Sequence, residues 1–287
     1  MEARASADAR ASFRVGANVP RSMAGDEDRA RGYADLKTVG RAMLVLEAIA
    51  RRPQRARDLA ETLGLKWATA YRSLTYLHEH DYLTRDPDSG IYSIGPRTYR
   101  LGVTYLVDHR LVPIAQPYLR DAADALRCSA QLNERHDLEV ITLASVDGPS
   151  PIDKTSPGFR FPLGIAAKGR VLLAFAPPDV REAVLGAPLP AFTSRSITDP
   201  DRMRAELDRI VAAGHAVARD DLQIGVGSVA APVRDADDTV VACVSLIVRA
   251  RRLADEEFVE RLASAASAAA RGVSVAIGWR PGARRDD

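Results

Sequence analysis

Six residues between Lys66 and Arg72 carry the clearest chemistry in this sequence: Lys66, Trp67, Ala68, Thr69, Tyr71 and Arg72. Lysine and arginine donate to guanine O6 and N7, and threonine donates or offers its methyl group to thymine. The set therefore suits the leading edge of a helix that meets base edges in a DNA major groove. Tyr71 and Arg72 fall away from the apolar stripe Ala70, Leu74 and Leu77, so they project outward; otherwise Arg72 pairs with a nearby carboxylate. Trp67 has two readings, packing on a sugar-phosphate backbone or folding back into a core. Arg41, Arg55, Arg57 and Arg85 are candidate phosphate contacts, which would orient a protein on DNA without reading its sequence.

The elements around that stretch must position it. Val39, Met43, Leu46 and Ile49/Ala50 fall at helical spacing and form one stripe, closed by Pro53. A short helix over Arg57–Leu63 ends at Gly64, and the turn Gly64-Leu65-Lys66 leads into a third helix over Trp67–His80. Two short helices joined through a glycine-containing turn are a helix-turn-helix pattern. Two β-prone runs, Tyr82–Arg85 and Ile91–Ile94, flank Asp86-Pro87-Asp88-Ser89-Gly90 and predict a hairpin in the place of a wing. The expected organisation is a disordered tail at 1–34, a winged helix-turn-helix at 35–95 and a linker helix at 96–110. A larger domain at 111–279 and a tail at 280–287 complete it.

Beyond the linker helix, with Tyr99, Val103 and Leu106 on one side, the spacing predicts a helix from Pro113 to about Arg127. Paired strands follow at Ser129–Glu134 and Leu138–Val146. Then come a Gly/Pro loop at Pro157–Pro162, a helix over Ala166–Ala176, and helices near Asp179–Leu185 and Asp199–Ala213. Strands at His215–Arg219, Ser228–Val233 and Thr239–Val248 precede a closing helix, Asp255–Gly278, with an aspartate cap. Strands with helices at both ends predict an α+β sheet covered by helices.

Composition narrows the function classes. A chain of 287 residues with 46% hydrophobic side chains can build two cores, which argues against global disorder. No apolar run is long enough for a membrane helix, and the first residues lack the apolar core of a secretory leader, so the expected location is cytoplasmic, without membrane partners. Residues 35–110 hold 12 Lys/Arg against 9 Asp/Glu, and residues 111–287 hold 22 against 24; a basic head on a faintly acidic body suits DNA binding. Cys128 and Cys243 read as buried free thiols. His78 and His80 would stand about 200° apart on a helix, so they make no metal pair, and no cofactor is expected.

The ordered set Val39–Leu46, Asp58–Leu65, Thr69–Leu74, Asp86–Tyr92, Gly169–Ala174, Ser196–Pro200 and Ala230–Val233 resembles the IclR type (isocitrate lyase regulator) of bacterial transcription factors. The resemblance covers about residues 36–278. It implies a C-terminal effector-binding domain of GAF/PAS-like fold, joined to the DNA-binding head by the linker helix, and assembly as homodimers or homotetramers. It also places an effector pocket between Phe161–Gly169, with Phe161, Ala167 and Lys168, the segment Val226–Ser228, and the strand holding Ser245 and Ile247. The residues agree: a Gly/Pro loop entering a helix frees backbone N–H groups, and Ser228 and Ser245 can hold a carboxylate in an apolar cleft. The same serines could instead satisfy backbone inside a sheet.

Five positions depart from the family pattern. Trp67-Ala68 replaces the usual Lys-Ser, and Arg55 replaces a capping Ser or Thr, weakening that cap by about 1 kcal/mol. Lys168 stands where a small or apolar residue is usual, and Arg219 where an acid is common. If Lys168 points inward it favours an anionic ligand, because a buried ammonium requires a partner; pointing outward, it says nothing. The expected function is operator binding modulated by a small, anionic organic-acid effector. The alternative is a constitutive DNA-binding protein whose second domain only oligomerises. The sequence has no nucleophile elbow, P-loop or dinucleotide fingerprint, so an enzyme is not expected.

Overall fold

The computed structural model describes residues 37–108, 110–149 and 157–281. The tail expected at 1–34, and all but the start of that at 280–287, lie outside the described residues. The chain divides into two compact units, one ending at Val103 and the other beginning at Thr104.

In the first unit, α1 (Lys37–Arg51), α2 (Ala56–Leu63) and α3 (Trp67–Glu79) precede a hairpin of β1 (Leu83–Arg85) and β2 (Tyr92–Ile94). The buried stripe of α1 is Val45, Ala48 and Ile49, packed with Leu59, Leu74, Leu77, Leu83 and Tyr92. This shifts the expected stripe around the helix: Val39 and Met43 are exposed, because α1 is apolar on two sides and one side suffices for a three-helix core. Gly64 ends α2 with φ 61°, a left-handed conformation in which Leu65 N–H reaches Ala60 C=O at 2.9 Å. The wing tip is held by Asp86, whose Oδ1 accepts from the N–H groups of Asp88 and Ser89. Gln54 pairs its backbone with Tyr92 and ties the hairpin to the α1–α2 connection.

The division between the units falls within α4 (Pro96–Asp108). Then α5 (Leu111–Leu126) begins two residues before the expected Pro113, which occupies its first turn, where a missing N–H is harmless. A six-stranded antiparallel sheet follows in the order β5-β4-β3-β8-β7-β6, with β3 Ser129–His136, β4 Glu139–Val146, β5 Arg160–Pro162, β6 Ala216–Arg219, β7 Val226–Arg234 and β8 Val240–Arg249. The stretch expected as a loop at 157–162 thus contributes a strand: Phe161 pairs with Val140 on the edge of β4. The remaining helices are α6 (Ala166–Ala174), α7 (Pro178–Leu185), α8 (Pro200–Ala213) and α9 (Glu256–Ala276), the last capped by the Asp255 carboxylate on Phe258 N–H.

Strand alternation sorts the sheet into two faces. Ala130, Leu132, Val229, Ala231, Val244 and Leu246 meet Leu119, Leu262, Ala266 and Val273 of α5 and α9 in an apolar core. The intervening residues, Gln131, Asn133, Ser228 and Ser245, are also buried, but they belong to the face that carries α6. All nine residues of α6 are buried. A polar layer sealed between a sheet and a buried helix is an unusual place to spend hydrogen-bonding groups, and it locates one candidate site.

Candidate functional sites

The first unit presents an open groove between the start of α3 and the wing. It is lined by Arg55, Arg57, Trp67, Tyr71, Arg85 and the wing tip Pro87–Gly90. Ala70, Leu74 and Leu77 bury the inner face of α3, which leaves Lys66, Ala68 and Arg72 exposed and Thr69 half-buried. Trp67 is 57% exposed and Tyr71 43%, so Trp67 does not fold back as core. The two rings stack at 5.0 Å with an interplanar angle of 15°. Arg72 Nε donates to Ala68 C=O along the helix, and Arg41 sits half-buried on α1. The structure thus brings Arg55, Trp67, Tyr71 and Arg85 together in one groove; Arg41, Lys66, Thr69 and Arg72 do not line it.

Both helices that open toward this groove start on a cation. Arg55 is the N-cap of α2 and Lys66 that of α3, and among the described residues neither side chain caps its helix. Cations at N-termini oppose the helix dipole and leave the first N–H groups unsatisfied by side chains, which is unfavourable for a free surface but suits an anion.

The second unit holds a cavity between α6 and the sheet, lined by Ala166, Lys168, Ala218, Asp221, Leu222, Gln223, Val226, Ser228, Ser245 and Ile247. Lys168 points inward and is 2% exposed. Its Nζ donates to Gln131 Oε1 at 2.6 Å and lies 3.4 Å from Thr142 Oγ1, with the Phe161 ring 4.9 Å away. The hydroxyl network has a direction. Thr142 donates to Asn133 Oδ1, and Asn133 Nδ2 donates to Ser245 Oγ, each at 3.0 Å. Ser228 Oγ accepts from Ala167 N–H at 3.4 Å. Both serine oxygens therefore already accept, and their own protons are available for an acceptor in the cavity.

Five of the seven expected effector residues line this cavity: Lys168, Val226, Ser228, Ser245 and Ile247. Phe161 and Ala167 stand just behind, fully buried. The sequence reading missed Asp221, which is 2% exposed. Its Oδ2 accepts from Ala166 N–H and Arg170 Nη2, both at 2.7 Å, while Oδ1 has no hydrogen-bond partner among the described residues. Burial pushes the Asp221 carboxyl up, against the opposing pull of Arg170 and the Ala166 N–H. An acid about 50 positions from the helix it anchors leaves no local pattern to detect. Arg219 faces away from the cavity and donates to Leu253 C=O. The space left in the cavity is about 20 Å³ for water centres, room for roughly one water.

Among the described residues no group of His, Cys, Asp and Glu is arranged to hold a metal, and no helix is long and apolar enough to cross a membrane.

Comparison with known proteins covers both units. Residues 38–87 match the IclR helix-turn-helix domain and residues 103–275 the bacterial transcriptional regulator IclR C-terminal domain. The chain is 34% identical over 239 residues to the glycerol operon regulatory protein of Streptomyces coelicolor, covering 83% of this chain and 94% of that protein. Among solved structures, it is similar to an IclR transcriptional regulator from Alicyclobacillus acidocaldarius (30% identity, TM-score 0.72, covering 83% and 98% of the two chains). It is similar as well to an IclR homologue from Microbacterium hydrocarbonoxydans complexed with 4-hydroxybenzoate (27% identity, TM-score 0.73, covering 84% and 98%).

Proposed function

The chain belongs to the IclR family of bacterial DNA-binding transcription regulators, and we propose that it is an effector-controlled member whose hold on its operator is set by a small anionic organic acid. The observation that carries this reading is the polarity of the cavity: a buried ammonium, Lys168, beside two serine hydroxyls whose oxygens already accept. Such a site offers donors, and a carboxylate is an acceptor on every lone pair. The spare Asp221 oxygen favours an acid that also carries a hydroxyl, and 4-hydroxybenzoate in the Microbacterium relative is of that kind.

On the DNA side, Lys66, Thr69 and Arg72 meet base edges, and Arg41, Arg55 and Arg85 take phosphates; Trp67 and Tyr71 belong to the same leading edge. Exposed Val39, Met43, Tyr99 and Leu101 offer apolar surface for a homodimer, which could pair further into a homotetramer. A gel-shift titration on the DNA flanking the protein's own gene tests the reading. Six to ten phosphate contacts would lower affinity by roughly 10³–10⁵ between 50 and 200 mM salt, and a cognate acid should shift the curve. Absence of any complex at low salt, with folded oligomer present, would end it.

The small cavity gives one observation in favour of a second reading, a constitutive DNA-binding protein whose C-terminal domain only oligomerises. A thermal-shift screen of carboxylic and hydroxycarboxylic acids separates the two, since a ligand at 100 times its Kd stabilises by about 2.7 kcal/mol. A flat response to all of them favours the second.

A further inference from the structure

The groove between α3 and the wing combines two features that the ridge of a DNA duplex matches together. Three guanidinium groups, Arg55, Arg57 and Arg85, line it against a single acid, Asp88; Arg57 also meets Glu61 at 3.5 Å in an exposed pair, which holds it weakly in water. The opposite wall is the Trp67–Tyr71 stack. Two aromatic side chains exposed together on a free helix surface leave apolar area in water, yet here they are aligned one turn apart and ordered against each other before any partner arrives. Base edges lie in the floor of the DNA grooves and are polar apart from the thymine methyl. The ridge between the grooves alternates phosphate anions with apolar deoxyribose C–H faces.

Resting on the reading of this unit as the DNA-binding head, we propose that this groove seats the sugar-phosphate ridge of one strand, with Arg55, Arg57 and Arg85 on phosphates and the Trp67–Tyr71 stack against deoxyribose. The aromatic pair adds grip without reading sequence. Base readout stays with Lys66, Thr69 and Arg72, which do not line the groove.

The test uses the full chain and two duplex probes of equal length: a site obtained by selection from a random-sequence library, and an unrelated sequence. Trp67→Ala with Tyr71→Ala should weaken binding to both probes by a similar factor, about tenfold, and selection with the variant should return the same consensus. Replacing the thymines of the selected site by deoxyuridine should change the binding of wild type and of the alanine variant by the same factor. In a Trp279→Phe background, emission from Trp67 should shift on adding the unrelated duplex at low salt and return as salt is raised. Trp67→Phe with Tyr71→Phe should retain binding, which guards against misfolding of the alanine variant.

A variant that loses only the selected site, or a thymine-methyl effect present in wild type and absent in the alanine variant, would overturn the proposal in favour of base reading. Trp67 emission unmoved by a saturating duplex would also overturn it. If wild type selects and binds no DNA at all, what fails is the underlying assignment of this unit, a distinguishable outcome.

Discussion

Lys168 Nζ and Gln131 Oε1 lie 2.6 Å apart, which ties the buried helix α6 to the middle of the sheet. The contact orients the ammonium on the wall of the cavity that Lys168 lines.

Lys168→Met keeps the apolar stem and removes that charge. We expect operator binding without effector to be unchanged, and affinity for carboxylic acids to fall at least tenfold, since a charged hydrogen bond contributes about 1.5–3 kcal/mol. Isothermal titration with an acid found in the thermal-shift screen checks this; undiminished affinity would show that the ligand lies elsewhere.

Asp221→Asn fixes the neutral form of a carboxyl whose folded-state pKa burial raises. A group that binds its proton more tightly when folded contributes stability in full below the ordinary carboxylate pKa, and loses it as pH rises through the raised value. The stability of wild type relative to D221N should therefore increase as pH is lowered from neutral toward about 4. Urea unfolding of both proteins at a series of pH values gives the difference directly, and a difference that grows with rising pH would refute the assignment.

Burial pushes the Cys128 thiol up to about 11 and the Cys243 thiol up to about 12. Thiolate is the reactive form, so neither should react with an alkylating reagent at pH 8 in the folded protein, while both should label in denaturant. Mass spectrometry of intact protein counts the adducts.

Gly95→Ala should destabilise the first unit by at least about 1–3 kcal/mol. A Cβ there would stand 2.3 Å from Asp81 O and 2.8 Å from Leu83 N, both backbone atoms with nowhere to move. Thermal unfolding against wild type measures it; an unchanged midpoint would mean that Gly95 and the backbone of Asp81–Leu83 are less closely apposed than this.

Much of the head was legible in advance because its information is local. The spacing of Ala70, Leu74 and Leu77, the left-handed Gly64 and the Asp86–Gly90 turn each depend on neighbours a few positions away. The close approach of Gly95 to Asp81 joins segments that periodicity cannot relate. The expected stripe of α1 holds at Leu46 and Ile49 but not at Val39 and Met43, which satisfy the same helical spacing and are left outside the core by the packing of α2 and α3.

By itself the sequence determined most of the element order and the outward face of α3, since short-range period and turn chemistry govern these. The residues expected around the cavity followed from the resemblance to a family. The tertiary structure alone decided that Lys168 points inward, that Asp221 anchors α6 across some 50 residues, that 160–162 form an edge strand and that Trp67 and Tyr71 share a groove with three arginines. These depend on which distant segments meet, a choice made by burial of the whole chain rather than by any one stretch of it.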